Sequence, residues 1–119
     1  MAFADANPRI VMEAWPKSGT RALLAGDITP GAPVRFSTGW KVAINTTATV
    51  LKYAIEGGKS GEYIHIADGM VIGGFTGGTP GNPLYITSAG AYTETAGTYI
   101  CGYMVTATVG IVGASTLAV

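Results

Sequence analysis

One five-residue phrase occurs twice in this chain, and it constrains the fold more than any other feature. Thr29-Pro30-Gly31-Ala32-Pro33 returns as Thr79-Pro80-Gly81-Asn82-Pro83. Pro-Gly supplies one fixed φ and one residue free to take a positive φ, the combination a tight turn requires. The flanks repeat as well. Val34-Arg35-Phe36 and then Trp40-Lys41-Val42 follow the first copy, and Leu84-Tyr85-Ile86 and then Tyr92-Thr93 follow the second. Thr49 to Ile55 is echoed by Thr98 to Val105 with one residue inserted. The repeat spans about 26–72 and 76–112. A turn that launches the same strands twice predicts two related β-rich halves.

Size and composition narrow the class. A chain of 119 residues has the length of one domain with a single modest core. Seven basic residues balance seven acidic ones, and charged residues make up 12% of the chain, against about 25% in ordinary soluble domains. So few charges leave apolar surface for partners to cover. No run of Lys or Arg exists, so no nucleic-acid partner is expected. The single Cys101 rules out an internal disulfide and reads as a small core hydrophobe. The first eight residues lack a basic region followed by an apolar run, so no secretory signal is expected. The uncharged stretch from Thr95 to Val119 is long enough to span a membrane as a helix. Its Thr, Val, Ile and Gly favour strands instead, so no membrane partner is expected.

Along the chain, short β-runs alternate with Gly- and Pro-rich turns, the pattern of a small β-barrel or sandwich. Strands are expected at Val34–Ser37, Trp40–Ile44, Val50–Ile55, Glu62–Ala67, Met70–Ile72, Leu84–Thr87, Ala91–Thr95, Tyr99–Ala107 and Val109–Val112. Ile64 and Ile66 face the core, with Tyr63 and His65 on the other side. Residues 73–78 read as a flexible glycine-rich connection. A short helix is allowed near Thr20–Ala25. The fold class is therefore all-β, with at most that one helix, in a domain over 21–119. Residues 1–20 belong to neither repeat. Pro8 and Pro16 break any long helix there, and Ile10–Trp15 suits a short strand. This segment reads as an extended arm that docks on its own domain or on a neighbour. Phe3, Ile10, Met12 and Trp15 are its candidate contact residues.

No motif specifies a reaction. Gly58-Lys59-Ser60 matches the tail of a phosphate-binding loop, but Tyr53 stands where that loop needs a glycine, and a strand follows in place of a helix. His65 is the only histidine, and Asp68 three residues on falls on the opposite face of an extended strand. One His, one Cys and scattered carboxylates offer no metal set, and no catalytic or cofactor-binding residue is assigned. Glu56, Glu62, Asp68 and Glu94 would have to meet in space to act as paired acids. The six tyrosines and Trp40 leave a carbohydrate- or receptor-binding module as the alternative function.

These residues together resemble the capsid cement, or head decoration, proteins of tailed bacteriophages. The resemblance runs over about 26–112. It is carried by Gly61-Glu62-Tyr63-Ile64-His65-Ile66, Gly81-Asn82-Pro83-Leu84-Tyr85-Ile86 and Gly102-Tyr103-Met104-Val105. It implies a virion structural protein, made in the host cytoplasm, that binds the outer surface of an expanded capsid and stabilises it. The implied partners are the major capsid protein, neighbouring decoration subunits and two further copies in a homotrimer. No cofactor and no enzymatic reaction are implied.

Overall fold

The computed structural model describes residues 3, 9–15, 20–36, 39–44, 51–87, 90–97 and 99–117. Eleven strands and no helix make up these residues. They are β1 (Ile10–Trp15), β2 (Thr20–Leu23), β3 (Pro33–Phe36), β4 (Trp40–Val42), β5 (Leu51–Ala54), β6 (Tyr63–Ala67), β7 (Gly69–Gly73), β8 (Pro83–Ile86), β9 (Tyr92–Thr93), β10 (Tyr99–Met104) and β11 (Val109–Leu117).

Two antiparallel sheets result. One has the order β2-β6-β5-β3-β4, the other β1-β7-β11-β10-β8-β9. Apart from β1, the second sheet replays the first strand for strand, so the chain is two copies of one five-stranded unit. The pairing registers agree where the repeated phrase lies. Pro33 pairs Tyr53 as Pro83 pairs Tyr103, and Arg35 pairs Lys41 as Tyr85 pairs Thr93. The one residue inserted in the second copy is absorbed by a register shift between Ile100 and Gly102, with Cys101 at the irregularity. The strand order also sets where the units divide. β7 pairs β1 and β11, so Met70–Ile72 opens the second unit and does not close the first.

The stretch Thr20–Leu23 is a strand, not the start of a helix. Arg, Ala and Leu favour helix locally. Register with β6 overrides that preference, from Thr20 on Ile66 to Leu23 on Tyr63. Alternation then buries Ala22 and Leu24 and exposes Arg21 and Leu23.

Each copy of the phrase is a turn that ties one strand to another. The Ala32 amide donates to Thr29 O, the Asn82 amide to Thr79 O, and Gly31 and Gly81 take φ of 76° and 88°. A third, prolineless turn does the same at Lys59-Ser60-Gly61-Glu62, with Gly61 at φ 91°. In the first unit two of these turns cross reciprocally. Gly31 donates to Ala54 O at 2.8 Å and Gly61 to Leu24 O at 2.8 Å, while Ile28 and Gly58 exchange both bonds at 2.8 and 2.9 Å. The crossed turns close over a core of Ala22, Leu24, Ile28, Ala32, Val34, Ala54, Ile64 and Ile66. In the second unit the tie is Gly81 to Met104 O at 2.7 Å.

The larger core lies between the sheets. Tyr53, Ala67 and Ala43 of the first unit meet Met70, Ile72, Leu84, Ile86, Met104 and Val112 of the second. Phe75 pins residues 73–78 to it. Phe75 is buried, its amide donates to Thr108 O, and its ring lies between Phe3 (5.6 Å) and Tyr92 (6.1 Å).

Candidate docking face

The residues that sequence singles out for chemistry are dispersed and already engaged. At Lys59-Ser60, the Lys59 amide donates to Glu62 Oε1 at 2.7 Å and the Ser60 amide to Asp27 Oδ1 at 3.1 Å. Two carboxylates thus sit on the amides that a phosphate would need. His65 Nδ1 lies 3.1 Å from Glu56 Oε1, whereas Asp68 pairs with Lys52. Glu94 accepts from the Thr79 amide at 2.8 Å and braces the second Pro-Gly turn. The four carboxylates therefore serve separate places. Among the described residues no group of three His, Cys, Asp or Glu side chains is placed to hold a metal. Burial pushes the Cys101 thiol up to about 12, and its Sγ donates to Leu84 O at 3.3 Å. The Tyr53 hydroxyl, also raised by burial, bonds Gly113 O. No helix among the described residues is long and apolar enough to cross a membrane.

Among the described residues the aromatic side chains form no single platform. Tyr53 and Tyr92 are buried, Tyr63 and Tyr103 are exposed on different sheets, and Trp40 packs edge-on against Phe36 at 5.6 Å.

What the structure does assemble is an apolar sheet face. Within the first unit, the side of the sheet that carries Pro33 and Tyr53 is buried against the second unit, and Tyr53 is 0% exposed. The same side of the second unit carries Pro83 and Tyr103 in the same register, and there Tyr103 is 49% exposed. A cross-strand row, Glu13–Val71–Ile111–Tyr103–Pro83, crosses this bare face over five strands and carries a single charge.

β1 extends the face. It pairs β7 with Ile10 on Gly73 and Trp15 on Gly69. A β-carbon at Gly69 would collide with the Trp15 ring at 2.6 Å, and one at Gly73 would lie tight against Met12 Sδ at 3.2 Å. The two glycines are thus the floor on which Trp15 and Met12 lie. Val11 and Ala14 turn inward to the core, while Ile10, Met12 and Trp15 remain 60%, 60% and 40% exposed. Beside the strand, Val11, Met12, Glu13, Ala14 and Ile55 line an open cleft of about 330 Å³.

Of the four arm residues marked in sequence, the structure brings Ile10, Met12 and Trp15 together at one edge of the bare face. Phe3 goes elsewhere, stacked on Phe75 against the core. Arg9 anchors the arm. It is buried, its guanidinium lies 5.5 Å over the Tyr92 ring, and its Nη1 donates to Thr29 Oγ1 at 2.8 Å. Sequence reasoning missed Val71, Ile111, Tyr103 and Pro83. The signal for two of them is the fifty-residue spacing, which puts Tyr103 at the position of Tyr53 and Pro83 at that of Pro33.

No protein-family model, curated protein or solved structure matches the chain.

Proposed function

We propose that this protein is a capsid decoration protein: a virion structural protein that docks on the outer surface of an expanded phage capsid and stabilises it, as a homotrimer in contact with the major capsid protein. The observation that carries this reading is the unpartnered repeat of a buried face. Pro33–Tyr53 is covered by the neighbouring unit, and Pro83–Tyr103 presents the same pair exposed. A face of this make-up gains on the order of 25 cal/mol for each Å² of apolar area covered, before the costs of association. Many copies, each adding a small gain across a joint between subunits, hold a shell together. The charge-poor composition and the resemblance over 26–112 support the same role.

The test is to mix purified protein with expanded phage heads, sediment the heads and then heat them. Co-sedimentation in a fixed ratio to the capsid subunit and a higher temperature of head disruption are expected. Heads that pellet without the protein, or that disrupt at an unchanged temperature, overturn the proposal.

A further inference from the structure

We propose that Arg35 and Lys41 form a docking point for a carboxylate carried by an acidic segment of a protein partner. The two residues are direct cross-strand partners on β3 and β4. Like charges directly opposite one another on antiparallel strands repel. The fold does not require them, since the second unit has Tyr85 opposite Thr93 at the same register position. An edge lysine by itself is an ordinary guard against strand addition, and β4 is an edge strand. That reason covers Lys41 but not Arg35, which lies on the inner neighbour β3 with its Nε buried and without a hydrogen-bond partner.

Among the described residues, Glu13 stands on β1 of the other sheet, and the remaining acids are engaged elsewhere. Asp68 holds Lys52, Glu56 holds His65, and Asp27, Glu62 and Glu94 hold turn amides. The result is a local surplus of two positive charges on a chain whose formal charge is zero. An arginine fork beside a lysine suits a carboxylate, which accepts two parallel hydrogen bonds from the guanidinium while the ammonium adds charge. This site is separate from the apolar docking face, so either can fail without the other.

The probe is a hexaglutamate peptide titrated into the full chain, followed by the Arg35 Nε–H and Lys41 side-chain NMR signals. Saturable shifts at both residues are expected, with none from hexaglutamine. Arg35→Gln and Lys41→Gln each weaken binding at least tenfold while the Tyr63 ring signals stay in place. Lys41→Glu is expected to melt higher than wild type and to lose the peptide. Absence of saturable shifts overturns the proposal, as does the same response to inorganic phosphate at equal ionic strength. So does a Lys41→Glu chain that keeps the peptide or melts no higher.

Discussion

Tyr53 and Tyr103 occupy the same position in two copies of one unit, and their surroundings make them different residues. The Tyr53 hydroxyl is buried against Gly113 O. Tyr53→Phe would leave that carbonyl without its donor and is expected to cost about 1–3 kcal/mol in urea unfolding. Tyr103→Phe loses no such bond and should stay within about 0.5 kcal/mol of wild type. Cys101 gives a pH signature. The folded thiol keeps its proton up to about pH 12, so the native state binds the extra proton between the ordinary thiol range and that value. Stability is full below the window and falls as pH rises through it, with Tyr53 adding a loss in the same direction at higher pH. Unfolding free energies measured from pH 7 to 11 should decline above about pH 9, and Cys101→Ala should flatten the first part of that decline.

At the scale of elements, the Pro-Gly turns were legible because their residue types admit few conformations. The strands they launch, at Val34 and Leu84, followed from the repeat, and β6 followed from period-two alternation at Ile64 and Ile66. The turn at Lys59-Ser60-Gly61 does the same work without proline, so nothing in its composition marked it as a third copy. The strand at Thr20–Leu23 was obscured by helix-favouring residues, because its cause is register with β6, a contact 40 or more residues away. Phe75 sits among glycines and reads as part of a loop, yet its ring packs against both Phe3 and Tyr92, contacts that no local pattern encodes. The apolar face was the least legible. Tyr103 and Ile111 read as ordinary strand residues, and only the packing of the two units shows which copy of the face is covered. Gly81→Ala places a β-carbon at φ 88° in open space, so it should cost roughly 1–2 kcal/mol from backbone strain alone. Gly31→Ala should cost more, since its β-carbon would also lie 3.1 Å from the Arg9 stem that anchors the arm. Thermal melts of the two variants give the comparison. Removal of residues 1–15 is expected to lower stability, not merely to trim an appendage, because Val11 and Ala14 pack on the core and β1 covers the edge of β7.

At the scale of the whole molecule, two like units stacked in one direction leave unequal outer surfaces. The first unit closes its far side with crossed turns, and the second leaves its far side open, widened by Ile10, Met12 and Trp15 of β1. Duplication thus accounts for the bare face without any catalytic machinery, and the unrepeated strand enlarges it. The most direct measurement compares Tyr103→Glu with Tyr63→Glu in co-sedimentation with expanded phage heads. Both tyrosines are about half exposed, but Tyr63 lies on the first sheet, away from the face. The account predicts that Tyr103→Glu lowers the bound fraction at least tenfold while Tyr63→Glu binds as wild type, with both variants melting near the wild-type temperature. Equal binding by the two variants would contradict it.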